Sequence, residues 1–365
     1  MSLQSNTQKT VVVLGMHRSG TSAITNVLYA AGLYCGRDKD LLPGTQFNEK
    51  GYFEHREVMR INEDILLANS TFSTAETGAN SDSYHEIQLT DYGWIYGAYP
   101  PSTETLLMQP GTSQRLTQYI DSVYELAGNK SIAIKDPRFS LTLPVWAPFL
   151  RNYAVIIMVR DPDEVSQSLF LRDDLPFYIS QRLWTFYNHS ALRVTAGAPR
   201  IILNYKDLVS HPDETVRTLF DFLELNGIDN IRHNFGDAVS AIVPHLSHKS
   251  AVRKLPVDQL TSSDCRQYFE NILQHAKEPN QVKFPSDNSP ENNSIDKWWL
   301  IATYTFLVGK IRNIQITKKR DASDLKYSRL LQHYNRLLRH PVSGMIIRLL
   351  RFLKRDDSFG GRPEK

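Results

Sequence analysis

The run Val11-Val12-Val13-Leu14, followed at once by Gly15-Met16-His17-Arg18-Ser19-Gly20-Thr21-Ser22, restricts this chain more than any other segment. Four consecutive β-branched or aliphatic residues leave a strand with no polar face, so both faces must be covered. From Thr21 the apolar residues Ala23, Ile24, Val27, Leu28 and Ala31 recur at helical spacing, and Gly32 supplies a stop. Three further apolar runs follow, Ser131–Ile134, Ala154–Val159 and Arg200–Leu203. Ala154–Val159 leads into Asp161-Pro162-Asp163-Glu164, a helix start with an N-cap, proline at the first position and acids in the first turn. Beyond Arg200–Leu203, Val216, Leu219, Phe220 and Leu223 mark one face of another helix. Apolar strands alternating with amphipathic helices predict an α/β fold of three layers, with a central, mainly parallel sheet flanked by helices.

The loop between the first strand and helix is suited to an anion. Backbone N–H groups at a helix start and the helix dipole both favour negative charge. The glycine spacing fits the nucleotide loop G-x-x-x-x-G-K-[ST], except that Thr21 stands where the lysine belongs. Arg18 is the strong cation of the segment. A triphosphate hydrolase without that lysine lacks the group that reaches the β- and γ-phosphates. A phosphate-like ligand at His17, Arg18, Ser19, Gly20, Thr21 and Ser22 is therefore expected. The alternatives are a P-loop kinase or NTPase and a non-catalytic nucleotide-binding protein.

Gly15–Ser22 resembles the 5′-phosphosulfate loop of sulfotransferases that use 3′-phosphoadenosine 5′-phosphosulfate (PAPS), where Lys or Arg precedes Ser-Gly-Thr. In that family a strand-terminal Arg and a Ser eight residues later contact the 3′-phosphate; Arg160, after Ile156–Val159, and Ser168 have that order and spacing. Tyr205-Lys206-Asp207-Leu208, with His211-Pro212, resembles a third segment near the nucleotide. The resemblance covers 11–225 and implies a bacterial-type, P-loop-like sulfotransferase, with Arg160, Ser168 and Tyr205 joining the loop in binding PAPS. The residue chemistry agrees. A 3′-phosphate dianion suits an arginine and a hydroxyl at a helix start, and Arg160 closes a strand at the edge where α/β sheets bind ligands.

Sulfuryl transfer to an alcohol is an in-line displacement that needs donors around the sulfonate and a base for the acceptor hydroxyl, but no metal. Arg18 is the first donor. Lys135, after Ser131–Ile134, resembles the strand-terminal lysine of the family and is the second. Cytosolic members carry a catalytic histidine two residues later, where this chain has Pro137, so that base is missing. Asn48-Glu49-Lys50-Gly51-Tyr52-Phe53-Glu54-His55 resembles a bacterial Asn-x-x-Gly-Tyr-Phe-Glu segment. It implies Glu54 as base, with Glu49 and His55 as alternatives, or Glu54 as a residue that orients another group.

Composition bears on location and partners. With 41% hydrophobic residues in 365, the chain can bury a large core, which excludes disorder throughout. Two cysteines, Cys35 and Cys265, exclude a disulfide framework and point to a reducing, cytoplasmic setting. No apolar run approaches the roughly 20 residues of a membrane span. The net charge of +3 is uneven, because 318–365 carries 13 Lys/Arg against 5 Asp/Glu and leaves a mildly acidic body, which argues against a nucleic-acid partner. The expected organisation is a flexible 1–10, a sulfotransferase domain over 11–317 with an irregular insertion (69–113) and a polar loop (277–296), and a basic helical tail (318–365). Tyr84, Tyr92, Tyr96 and Tyr99 in the insertion suit a carbohydrate or glycolipid acceptor, or pack the loop. His248, Lys249, Arg253 and Lys254 form either a solvated face or an anion contact. In 342–355, Val342, Met345, Ile346, Leu349, Leu350 and Leu353 share a helical face opposite Arg348, Arg351 and Arg355. That stripe either docks on protein, the chain's own core or a second subunit, or makes a peripheral contact with the inner membrane face. The oligomeric state stays open.

Overall fold

Strand β1 (Thr10–Gly15) is buried at every residue and lies between β2 (Ile132–Lys135) and β3 (Tyr153–Val159), with β4 (Arg200–Asn204) beyond β3. All pairings are parallel, and Val12 faces Ile134 on one side and Val155 on the other. The computed structural model describes residues 8–44, 51–69, 93–96, 106, 108–242 and 263–277. Its longer helices are α1 (Thr21–Ala30), α2 (Arg56–Ala68), α3 (Thr112–Ala127), α4 (Phe139–Trp146), α5 (Pro162–Asp173), α6 (Phe177–Val194), α7 (Pro212–Leu225) and α8 (Ser263–Lys277).

Strand alternation sorts the core into two. Val12, Leu14, Ile134, Val155 and Ile157 join Ile61 of α2, Ile120 of α3, Trp146 of α4, Trp184 of α6 and Ile272 of α8 on one face. Val11, Val13, Ala133, Ile156 and Met158 join Ile24 and Leu28 of α1 and Val216, Leu219, Phe220 and Leu223 of α7 on the other. Helices on both faces of a parallel sheet make the three layers expected from the uninterrupted apolar strands. The Asp161 cap also forms. Its Oδ1 accepts the backbone N–H groups of Asp163 at 2.8 Å and Glu164 at 3.3 Å, and Pro162 opens α5.

Two local differences have plain causes. β2 includes Lys135, because backbone pairing with Val13 continues regardless of side-chain polarity. The segment read as an irregular insertion contains a helical turn, Gly93–Tyr96, and the first residues of α3. Trp94 and Ile95 of that turn are buried in the core. Glu49, Tyr84, Tyr92, Tyr99, the side chain of Tyr96, the His248–Lys254 group, the loop beyond 277 and the 342–355 segment lie outside the described residues. Among the described residues, no helix is long and apolar enough to cross a membrane.

Gly15 ends β1 at φ +141°, and a Cβ there would run into the Met158 carbonyl oxygen of β3. Gly111, before α3, has φ +85° but open space around it. Chemical denaturation is expected to show Gly15→Ala losing about 3 kcal/mol, strain and overpacking together, and Gly111→Ala about 1 kcal/mol. Equal losses would show that Met158 does not constrain the turn.

Candidate active site

Burial of β1 delivers the chain to the carboxyl edge of the sheet, where Met16–Gly20 turns into α1. The turn is closed by the Ser19 N–H donating to the Met16 carbonyl at 3.1 Å. Arg18 sits in left-handed conformation at φ +68°, which for a side-chain-bearing residue costs about 1 kcal/mol. Gly20, at φ +94°, lies so close to the Tyr205 ring that a Cβ would collide with it. No side chain caps α1, and its first-turn residues Thr21, Ser22 and Ala23 line a cleft of about 950 Å³, open mouth included. That leaves first-turn N–H groups for a ligand.

The charge lining this cleft is one-sided. Arg18, Lys135, Arg160 and Arg172 face it, and among the described residues Glu54 is the one carboxylate that lines it. Arg18 Nε donates to Ser168 Oγ at 2.8 Å, and an Arg160 guanidinium nitrogen donates to the Arg18 carbonyl at 3.2 Å. The Arg160 guanidinium lies 4.5 Å from the Tyr205 ring centroid and also donates to Glu164 at 2.8 Å. Loop, strand end and helix α5 are thus joined through the residues expected there. Burial, then the nearby Arg172, brings the Arg18 pKa down to about 10. Cations crowded in this way favour a bound anion. Ser19 is fully buried behind the loop, and Ser168 meets the site through Arg18 rather than as lining. His17 lines the cleft with its ring 4.5 Å from Trp94 and 5.7 Å from Tyr187. Burial, then Arg138, Arg172, Lys135 and Arg18, holds its pKa well below the usual histidine value, so the imidazole is neutral.

Lys135 is only 2% exposed. Its ammonium donates to Glu54 Oε1 at 2.6 Å, the Tyr52 carbonyl at 2.9 Å and Ser22 Oγ at 3.2 Å. Glu54 forms a parallel bridge with Lys135 along the edge of β2 opposite β1. In such an extended segment the next side chain points the other way. His55 accordingly packs its ring 5.0 Å from Tyr119, away from the cleft, which separates it from the other candidate groups. Burial pushes the Glu54 carboxyl up, but Lys135 and Arg138 outweigh it and hold the group below the usual carboxylate range.

Behind Glu54 lies a cluster that the motifs did not single out. Arg138 Nε donates to Glu63 Oε1 at 2.5 Å, its Nη1 to Asp136 Oδ1 at 3.1 Å, and Nη1 stands 3.8 Å from Glu54 Oε2. Burial raises Glu63 to about 7 against the pull of Arg138, and raises Asp136 in the same way. Asp136 directly follows β2 but is 0% exposed and bound by Arg138, so it does not face the cleft. Arg172 was also unforeseen, although it follows Ser168 by one helical turn and so shares its face of α5. Glu63 has no comparable signal. Together these groups provide cations and N–H donors for a polyanion, beside an ionised, buried carboxylate.

Residues 10–229, which include every charged residue lining this cleft, match a family model described as "Sulfotransferase family". Among solved structures, the chain is similar to the sulfotransferase domain from the curacin biosynthetic pathway, with 16% identity, 73% of this chain and 98% of that one covered, and a TM-score of 0.40. The sulfotransferase domain of the Synechococcus PCC 7002 olefin synthase gives 17% identity, 73% and 94% coverage, and a TM-score of 0.42. A sulfotransferase from Mycobacterium avium gives 12% identity, 76% and 78% coverage, and a TM-score of 0.44. No curated protein matches the chain.

Replacing Arg138 leaves Glu63 and Asp136 buried without their cation. Arg138→Met is expected to cost about 3–5 kcal/mol in urea unfolding near neutral pH. The cost shrinks under acid conditions, because protonated carboxyls no longer need the partner. A loss that does not change with pH would rule out this electrostatic origin.

Proposed function

The chain belongs to the sulfotransferase family, and we propose that it moves a sulfuryl group from PAPS to a hydroxyl of a carbohydrate or glycolipid by metal-independent, in-line transfer. One observation carries this reading: the Lys135 ammonium links Ser22 of the anion loop to the Glu54 carboxylate within a single cleft. The donor set suits PAPS. Arg18 and the first turn of α1 offer charge and N–H groups to the 5′-phosphosulfate, and Arg160 offers the same to the 3′-phosphate, beside the Tyr205 ring, with the Ser168 hydroxyl one residue contact away through Arg18. The collision that a Cβ at Gly20 would make with Tyr205 shows the loop backbone packed directly on the ring that stands beside Arg160. When bound, PAPS supplies the sulfuryl group and leaves as the 3′,5′-bisphosphate PAP.

Arg18 and Lys135 place positive charge where negative charge gathers as the group transfers, the largest single source of rate in such displacements. Glu54 is ionised and takes the proton of the acceptor hydroxyl. Lys135 holds Glu54 through the 2.6 Å contact and so couples base and anion loop. Two features weigh against a Mg²⁺-dependent kinase: Thr21 in place of the loop lysine, and Asp136 turned inward to Arg138. The buried thiols of Cys35 and Cys265 fit a reducing cytoplasm.

Thermal unfolding with PAP in EDTA, with ATP–Mg²⁺ and with GTP–Mg²⁺ tests the donor. PAP at a hundred times its Kd is expected to add about 2.7 kcal/mol of stability, and the triphosphates little. Stabilisation by ATP–Mg²⁺ and not PAP would replace this reading with a phosphotransferase.

Glu54→Gln tests the base. With labelled PAPS and a panel of glycan acceptors, turnover should fall by roughly 10²–10⁴ while PAP still binds. Undiminished turnover would remove Glu54 from that role.

A further inference from the structure

The proposed mechanism uses Glu54 and Lys135 but leaves unexplained a second buried carboxylate behind them. Glu63, on α2, is 2% exposed and its Oε1 accepts from Arg138 Nε. The other end of the same guanidinium, Nη1, reaches toward Glu54 Oε2. Arg138 thus lies between two acids, one behind the cleft wall and one lining it. We propose that Glu63 and Arg138 are positioning residues for Glu54, a buried relay in which the charge on Glu63 sets how strongly Arg138 holds the Glu54 carboxylate. Its catalytic consequence rests on Glu54 being the base; the relay itself does not.

The charges favour this arrangement. Glu54, Glu63 and Asp136 are three buried acids served by two buried cations, Lys135 and Arg138. Counted by direct ion pairs, three carboxylates share two cations, so the acid with the fewest cation contacts is the one most driven to keep its proton. Among the described residues Glu63 pairs with Arg138 alone, whereas Glu54 has Lys135 as well. The groups around Glu63 do little to relieve it. Arg138 and Asp136 face it from the β2–α4 connection, and Asp64 on its own helix is already paired with Arg115 of α3 at 2.5 Å. The Tyr187 hydroxyl, from α6, donates to the Trp94 carbonyl at 2.9 Å. On the other side, Lys135, Arg138 and Arg172 act on Glu54.

The direction follows from the geometry. While Glu63 is protonated, Arg138 directs its undivided charge to Asp136 and Glu54, and Glu54 is a weak base. Once Glu63 ionises, it draws on the same guanidinium, the field on Glu54 falls, and Glu54 becomes a stronger base. Burial, opposed by Arg138, places the Glu63 transition at about 7. Base strength therefore rises as pH passes through neutrality, although Glu54 itself titrates at acid pH.

Carboxyl-labelled ¹³C-glutamate NMR over a pH titration reads this without any ligand. The Glu54 and Glu63 signals are identified by their loss in Glu54→Gln and Glu63→Gln. In the unsubstituted protein the Glu54 signal should show, besides its own acid step, a second step at the midpoint of the Glu63 signal. Glu63→Gln should abolish that second step, and Glu63→Asp should keep one. Failure of the Glu54 signal to follow Glu63 in the unsubstituted protein would overturn the relay, whatever the variants do. Persistence of the step in a folded Glu63→Gln variant would overturn it as well. Turnover separates this result from the assignment of the base. A second step together with full activity of Glu54→Gln keeps the relay and removes the base; an inactive Glu54→Gln without the step does the reverse.

Discussion

Enclosure of β1 on every lateral side is the constraint from which the site follows. Its faces are covered by two helical layers, and its edges pair with β2 and β3. A strand so enclosed can change direction only at its ends, and the carboxyl end falls at Gly15. The same parallel alignment brings the ends of β2 and β3 beside it, which puts Lys135 and Arg160 on either side of the loop. The cleft is therefore a product of strand order as much as of the loop. Tight contact between Gly15 and Met158, and between Gly20 and Tyr205, keeps the loop in this place.

Around that opening the protein separates two electrostatic regimes. Arg18, Arg160 and Arg172 crowd the cleft, and their mutual repulsion favours negative charge there. Behind Lys135 the balance reverses, with acids outnumbering cations where little water enters. Lys135 belongs to both regions, since its ammonium touches Ser22 on one side and Glu54 on the other. Buried charge clusters of this kind add little net stability but hold groups in register.

Much of the fold was legible because it is written in local rules. Val11–Leu14 reads as a buried strand, Asp161-Pro162 as a helix start, and Gly20 before Thr21 as a turn into a helix, and all three form. The loop, Lys135, Arg160 and Glu54 were legible as candidates because each stands at the end of a recognisable run or in a segment resembling a known family. Their grouping around one cleft depends on strand order, and the motifs carried it only by resemblance.

Other features had no local signature. His55 follows Glu54 in the chain, yet extended backbone turns it to the opposite side, against Tyr119. Trp94 sits in a segment that reads as irregular, and only its packing on His17 shows that it belongs to the core. Glu63 is an ordinary acid on an amphipathic helix until α2 and α4 pack together and set it on Arg138. The sequence by itself determined the layer architecture, the glycine-bounded turn from strand to helix and the cations at the strand ends, because periodicity, glycine conformation and capping act within a few residues. Only the tertiary structure decided which carboxylates share which cations, because burial and Coulomb interaction depend on distances between elements far apart in the chain.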